Sequence, residues 1–241
     1  MTIPNRYRVT VLALGMALAA GLLLAAVLAK PAWAGETECV GTLTGVYDNV
    51  VVPPGAFCTL QGALVTGNVK VLEDATLQAN ASTIRGNVEG PQVRQILLQF
   101  ETQVGGNLLI KGADPGTTNG FDIDVHIEGN VLLEENQGRV FIDAAIVDGN
   151  LEVKNNISQG FLEVEFNTVG GNLNIEDNVV LSEMSVLGNR VTKNMQVNNN
   201  TGPTSKKVIN NTVDKNLQCF ENDPPFIGGP NAAQKAEGQC F

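Results

Sequence analysis

The sequence predicts an all-β fold, a single-stranded right-handed parallel β-helix (a β-solenoid) of about eight or nine coils of 19–23 residues. Its main signature is a motif, [V/I]-x-[G/K]-N-[V/L/M]-x-[V/I/C], that returns eight times with small departures. We call the central asparagine of this motif the repeat asparagine. It stands at Asn68, Asn87, Asn107, Asn130, Asn150, Asn172, Asn194 and Asn216. A unit of this length cannot bury an inner face alone, so its copies are expected to stack.

Alternating hydrophobicity around the motif is the second observation. The repeat asparagine is followed by an apolar–polar–apolar triplet, as in residues 151–153 and 173–175, which points alternate side chains to the core and to water. Three residues before it, every coil has valine or isoleucine, which suits a stiff, tightly packed strand position. The low aromatic content of 5% agrees with a narrow aliphatic core.

In chain order, the sequence divides into four predicted segments. Residues 1–34 are typical of a signal peptide, with basic residues, a long apolar run and a small-x-small cleavage site ending at Ala34. Residues 35–62 are predicted to form an N-terminal cap, 63–222 the solenoid repeats and 223–241 a C-terminal cap. The protein is therefore expected to be secreted and to face the cell exterior. An uncleaved anchor is the alternative, because the apolar run is long enough to span a bilayer.

Two further rows of asparagine are predicted to form ladders along the stack. The row five residues before the repeat asparagine is small or apolar in early coils and ends in Asn167, Asn189 and Asn211. The row six residues after it contains Asn136, Asn156, Asn178, Asn200 and Asn222. Buried amides need partners, and each can donate to a carbonyl of the next coil about 4.8 Å away. Because asparagine tolerates left-handed backbone angles, the second row is also expected to mark a turn.

The glycine before most repeat asparagines is predicted to serve a tight bend, with Lys193 and Lys215 replacing it late in the chain. Three stretches interrupt the regular coil, namely residues 89–100, 111–120 and 201–207. Any specific function is expected at these interruptions or on the acidic outer face, since the repeats themselves describe a scaffold.

The four cysteines of an exported chain predict two disulfide bonds. Three pairings exist. The pairing of Cys39 with Cys58 and of Cys219 with Cys240 is favoured, because it closes one loop at each end, where a terminal coil has only one neighbour.

The charge of the chain limits the partners that it suits. The net charge is −10 and becomes −13 when the signal peptide, which holds three basic and no acidic residues, is removed. Such a surface repels phosphate backbones and anionic lipid, so nucleic-acid binding and, after cleavage, membrane binding are not expected. The partner is predicted to be an unknown cell-surface or extracellular molecule. Capped ends predict a monomer.

One acidic cluster is a speculative metal site. Alternation places Asp122, Asp124, His126 and Glu128 on one outward strand face, where one or two of them could hold Ca²⁺. The alternative is a solvated strand face, because same-face residues lie about 7 Å apart along a strand. No cofactor is otherwise expected. No nucleophile accompanies the single histidine, so no catalytic residue is assigned and the chain is not predicted to be an enzyme.

The run of Gly-Asn coils with its late closing cysteine resembles uncharacterised secreted bacterial repeat proteins that are predicted to be parallel β-helices. More distantly, the coil length and the asparagine ladders resemble pectate-lyase-type β-helices. That second resemblance implies polysaccharide cleavage or binding through acids, a divalent cation and an arginine. The mature solenoid offers four arginines for such a role, Arg85, Arg94, Arg139 and Arg190. The predicted function is a non-catalytic structural or interaction surface, with the carbohydrate-active β-helix as the alternative.

Overall fold

The computed structural model describes residues 35–114 and 120–240. Over this range the chain is all-β, with parallel strands stacked as a β-solenoid of about ten turns, which confirms the predicted fold class. The predicted signal peptide and the middle of the 111–120 insertion lie outside the described residues.

The solenoid is built from short strands. In chain order they are β1 (Glu36–Glu38), β2 (Gly41–Leu43), β3 (Val46–Tyr47), β4 (Asn49–Val52), β5 (Phe57–Gln61), β6 (Leu64–Val65), β7 (Val69–Val71), β8 (Thr76–Asn80), β9 (Thr83–Ile84), β10 (Val88–Pro91), β11 (Gln95–Gln99), β12 (Gln103–Val104), β13 (Leu108–Lys111), β14 (Gly120–Ile123), β15 (His126–Ile127), β16 (Val131–Glu134), β17 (Arg139–Asp143), β18 (Ile146–Val147), β19 (Leu151–Lys154), β20 (Ile157–Ser158), β21 (Leu162–Glu165), β22 (Thr168–Val169), β23 (Leu173–Glu176), β24 (Val179–Val180), β25 (Met184–Leu187), β26 (Arg190–Val191), β27 (Met195–Asn198), β28 (Lys206–Ile209), β29 (Thr212–Cys219), β30 (Ile227–Gly228) and β31 (Ala232–Gly238).

Each coil visits three faces in a fixed order, and two coils add the short strands β20 and β24, which pair with each other between the first and second faces. The first face follows the repeat asparagine and contains β4, β7, β10, β13, β16, β19, β23 and β27, with β1 at its edge. The second face has ten strands, β2, β5, β8, β11, β14, β17, β21, β25, β28 and β30. The third face has the two-residue strands β3, β6, β9, β12, β15, β18, β22 and β26. The longer β29 and β31 run across the third and first faces.

Inward side chains form one continuous apolar core. On the first face Val131, Leu151 and Leu173 stack in register, and all three are fully buried. The valine or isoleucine three residues before each repeat asparagine is also buried, namely Val65, Ile84, Val104, Ile127, Val147, Val169, Val191 and Val213. Because each coil places the same kind of side chain at the same depth, burial of these aliphatic columns is the main term that favours stacking.

The stack is longer than the predicted eight or nine coils. Strands β4 and β5 lie within the predicted N-terminal cap, yet they pair in register with β7 and β8. At the other end, β30 and β31 continue the second and first faces beyond the last repeat asparagine. The first of these coils lacks the motif glycine, since Asp48 precedes Asn49, and the last lacks the motif altogether. Motif counting therefore underestimates the number of turns.

The repeat asparagines form an outer ladder along the corner between the third and first faces. The main-chain N–H of each donates to the Oδ1 atom of the asparagine one coil earlier, starting with Asn68 on Asn49 at 2.9 Å. The same bond, at 2.8–2.9 Å, links every coil up to Asn172. These side chains therefore add to the main-chain hydrogen bonds that link neighbouring coils at this corner.

The glycines before the repeat asparagines are required by close approach and not by a left-handed backbone. None of Gly67, Gly86, Gly106, Gly129, Gly149 and Gly171 has a positive φ. A Cβ atom on Gly149 would lie 2.6 Å from both Asn130 Oδ1 and Gly129 O of the preceding coil. The predicted tight bend is present, but the reason for glycine there is the contact between coils.

The last two coils that carry the motif show how a side chain at this position weakens the hydrogen bonds at the corner. Where Lys193 and Lys215 replace glycine, the ladder bonds lengthen to 3.2 Å at Asn194 and 3.4 Å at Asn216. The main-chain bonds of these two lysines to the preceding coil are also 3.2 Å. The corner therefore opens slightly toward the C-terminal end.

Replacing Gly149 by alanine is expected to lower the free energy of unfolding by about 2 kcal/mol, because the added methyl group overpacks the corner. Urea unfolding followed by circular dichroism measures the change. Lys193→Ala is the matched control, since that coil already accommodates a Cβ atom, and it is expected to be close to neutral. An equal loss in both variants would contradict the contact explanation.

Two inner ladders run through the later coils. In the first, the main-chain N–H of Asn167 donates to Asn189 Oδ1 at 3.0 Å, and Asn189 repeats this bond with Asn211. In the second, the N–H of Asn156 donates to Asn178 Oδ1 at 3.0 Å and so on through Asn200 to Asn222. Each Nδ2 also donates to a main-chain carbonyl of the preceding coil, so these buried amides are fully bonded.

The inner ladders extend into the C-terminal cap and end there. Asn231 Oδ1 accepts from the N–H of Asn211 at 2.9 Å, and its own Nδ2 donates to Cys240 O. Gln239 Oε1 accepts from the N–H of Asn222 at 2.9 Å and so takes the place of a further asparagine. The cap thus supplies the terminal partner of both ladders.

The turn predicted at the second inner row is present, but its left-handed residue stands one position earlier. Glu135, Asn155, Asp177, Asn199 and Glu221 have φ between 54° and 57°. The ladder asparagines that follow them do not have positive φ. Asparagine is used in this row for its amide hydrogen bonds.

Both predicted disulfide bonds are confirmed. Cys39 pairs with Cys58 and Cys219 with Cys240, across 19 and 21 residues respectively. All four cysteines are buried in the core. Each bridge joins neighbouring coils at one end of the stack.

Candidate binding surface on the second face

The structure divides the predicted acidic cluster between two faces. Asp122 lies on β14 of the second face, whereas His126 lies on β15 of the third face. Asp124 and Val125 form the corner between them, and Glu128 follows β15 at the next bend. The expected single outward strand face is therefore wrong, because the chain turns in the middle of the run.

The divided cluster has separate contacts. His126 Nε2 lies 3.2 Å from Asp148 Oδ2 of the following coil. Asp122 accepts a hydrogen bond from Gln99 of the preceding coil. Among residues 35–114 and 120–240, no group of three or more histidine, cysteine, aspartate or glutamate side chains is placed to hold a metal ion.

The second face carries a group of carboxylates in adjacent outward columns. The register places Leu97, Asp122, Phe141 and Glu163 in one outward column. Asp143 pairs with Glu165 in the next outward column. These carboxylates have one further neighbour, Glu183, on the following coil. We call the five residues Asp122, Asp143, Glu163, Glu165 and Glu183 the acidic ledge.

Burial and neighbouring negative charges disfavour ionisation of Asp122 and Glu163. Burial raises the pKa of Asp122, and the negative charges of Asp124 and Asp143 raise it further, against the hydrogen bond from Gln99. Burial also raises the pKa of Glu163, with Glu165 and Glu183 adding to the effect and Arg139 opposing it. Asp122 and Glu163 therefore hold their protons to a higher pH than isolated carboxyl groups do.

Glu163→Gln is expected to raise the melting temperature at pH 7 and to reduce the pH dependence of stability above about pH 4.5. A carboxyl group whose folded pKa is raised contributes stability that is fully present below its unfolded pKa and is lost as pH rises through the folded value. Thermal melts of the wild type and the variant from pH 4 to pH 8 test this, with the outward Glu152→Gln on the first face as control. A lower melting temperature at pH 7 for Glu163→Gln alone would contradict the assignment.

Arg139 lies beside the acidic ledge and is held by aromatic rings. Its guanidinium carbon is 4.6 Å from the centre of the Phe141 ring and 5.3 Å from that of Phe161. A Cβ atom on Gly160 would lie 2.6 Å from Arg139 Cγ, so glycine there leaves room for the side chain. Cation–π contacts of this kind fix both the position and the plane of the guanidinium.

The guanidinium forms no ion pair with a carboxylate in the described part of the chain, although its charge lowers the pKa of Glu163. The ion pairs of that part include Lys207 with Glu183 on the same face, but none involves Arg139. The Nε atom is buried without a hydrogen-bond acceptor. An open depression of about 160 Å³ adjoins it, lined by Gln95, Leu97, Gly120, Phe121, Asp122, Arg139 and Phe141.

No protein-family model, curated protein or solved structure matches this chain. Its capacity to bind a partner must therefore be judged from the geometry and chemistry of its own faces. In the described residues, no helix is both long and apolar enough to cross a membrane.

Sequence reasoning named Arg139 only as one of four arginines and did not associate it with Phe141, Phe161 or Asp122. Arg139 and Phe161 are 22 residues apart, which is the coil interval in this part of the chain. Aligning the coils by that interval would have placed the two side chains next to each other. The bend at Gly160, however, has no signal in the repeat motif.

Proposed function

We propose that this protein is an exported, non-catalytic β-solenoid whose outer faces act as a structural or interaction surface at the cell exterior. The observation that carries the proposal is the continuous register of the second face. Its ten parallel strands place outward side chains from equivalent positions of successive coils in columns. Such columns repeat at about 4.8 Å, which suits recognition of an extended or repetitive partner.

The internal construction supports this role. Three asparagine ladders and two terminal disulfide bonds hold the coils in one arrangement, so the outward side chains keep their spacing. A preorganised surface loses little conformational entropy when a partner binds. Disulfide bonds are also compatible with an extracellular location.

A carbohydrate-active β-helix of the pectate-lyase type is the second candidate. The observation that favours it is Arg139 beside the carboxylates of Asp122 and Glu163 on one sheet face. We also propose that the chain is related to the secreted Gly-Asn-repeat proteins that its sequence resembles.

Fractionation of producing cells and a sedimentation assay test the first candidate. The processed protein is expected outside the cytoplasm and to co-sediment with isolated cell-envelope material. Retention of unprocessed protein in the cytoplasm would contradict export, and absence from every envelope and extracellular fraction of the host would contradict the surface role.

Cleavage of polyuronates with and without calcium distinguishes the second candidate. Release of unsaturated products that disappears in Arg139→Met would replace the non-catalytic proposal with a lyase. Absence of cleavage supports the non-catalytic one.

A further inference from the structure

The depression beside Arg139 is a built feature of the second face and not a gap between loose side chains. Its floor is Phe121, which is fully buried, and its walls come from three consecutive strands of the sheet, β11, β14 and β17. These strands are paired in register, so the positions of the wall residues follow from the backbone. Its volume is about 160 Å³.

The charges around the depression are mixed in sign, so a ligand of either charge meets repulsion from one of its walls. The acidic ledge repels anions, since Asp122 forms one wall and Glu163 lies beside it. The guanidinium of Arg139 repels cations, and within the described residues no carboxylate forms an ion pair that neutralises it. A neutral ligand meets neither penalty.

The polar groups in the walls match adjacent hydroxyl groups. Arg139 donates hydrogen bonds and cannot accept them, ionised Asp122 accepts and cannot donate, and the Gln95 amide does both. Neighbouring hydroxyls of a sugar can accept from the guanidinium and donate to the carboxylate at the same time. Leu97 and Phe141 flank Asp122 in its column and offer apolar surface to the C–H groups of a sugar ring.

The guanidinium is also preorganised for this task. Phe141 and Phe161 fix its plane, and none of the ion pairs in the described part of the chain would have to break before a ligand binds to it. Hydrogen bonds to a charged, already oriented donor are stronger than bonds between neutral groups.

We infer that the depression on the second face binds one neutral monosaccharide unit of a glycan, with Arg139 donating to one hydroxyl and Asp122 accepting from its neighbour. The inference rests on the proposed role of the outer faces as an interaction surface and names the chemistry of one partner.

Titration of the purified protein with methyl glycosides tests the inference, with binding followed by chemical-shift changes and calorimetry. The probes are the methyl glycosides of glucose, galactose and mannose, with a methyl hexuronide as the anionic probe and methyl glucosaminide as the cationic probe. At least one neutral glycoside is expected to bind in the millimolar range and more tightly than either charged probe. Arg139→Met and Asp122→Asn are each expected to weaken binding about tenfold.

Arg190→Met on the third face is the matched control and is expected to bind as the wild type does. Circular dichroism checks the fold of each variant, and Asp122→Asn keeps the test decisive if Arg139→Met does not fold. Absence of binding by every neutral glycoside, tighter binding of a charged probe, or unchanged affinity in the folded site variants would overturn the inference. Envelope binding without glycoside binding would overturn only this site and leave the proposed function standing.

Discussion

Replacing Asn178 by leucine is expected to lower the free energy of unfolding by about 4 kcal/mol, because several buried polar groups lose their partners at once. Asn178 is fully buried, its Oδ1 atom accepts from the N–H and the Nδ2 of Asn156, and its Nδ2 donates to Val153 O. Leucine fills a similar volume but can make none of these bonds. Urea unfolding of the wild type and the variant measures the difference.

Asn174→Leu is the matched control for this prediction. Asn174 lies on the same coil, but its side chain faces outward and is only half-buried. The control is expected to change the free energy of unfolding by less than about 0.5 kcal/mol. Equal effects of the two substitutions would show that the inner ladder is not a principal stabilising element.

Removing the disulfide bonds is expected to destabilise the ends of the solenoid by about 3 kcal/mol each, the loop-entropy value for loops of roughly 20 residues. Because a solenoid coil contacts only its neighbours, the loss should stay local. In Cys39→Ala/Cys58→Ala, amide hydrogen exchange in residues 49–65 is expected to accelerate about a hundredfold. In Cys219→Ala/Cys240→Ala the same is expected in residues 206–219.

Exchange in the central coils serves as the internal control for both double variants. Amides of residues 131–153 are expected to exchange at the wild-type rate. Uniform acceleration along the chain would contradict local fraying and would indicate that the solenoid unfolds as one cooperative unit.

The fold is predictable from the sequence because successive coils repeat the same motif and the same hydrophobic pattern. One copy of Gly-Asn is a common turn, whereas eight copies of the motif at the coil interval, six of them with Gly-Asn and most followed by an inward apolar pair, require stacked parallel strands. The disulfide pairing is predictable as well, since only one of the three possible pairings closes a loop at each end of the stack.

Some features that the sequence does not predict lie where the repeat is interrupted. Others depend on contacts between coils. Asn231 and Gln239 complete the inner ladders from a cap whose spacing differs from the coil interval, and Gln239 does so with a different side chain. The corner at Asp124 leaves the alternation of the 122–128 run intact, so periodicity alone cannot place it. The setting of Arg139 depends on side chains from three neighbouring coils.

The location of the two disulfide bonds has a mechanical consequence. Cys39 and Cys240 lie close to the two ends of the described solenoid, and each is bridged to a cysteine 19 or 21 residues further into the stack. Tension applied to the ends of the chain therefore passes through covalent bonds past the terminal coils. Hydrogen bonds alone first bear the applied force at Cys58 and Cys219. At these positions each coil packs against a neighbour on both sides. The terminal coils, which would peel first in an unbridged solenoid, are bypassed by the applied force.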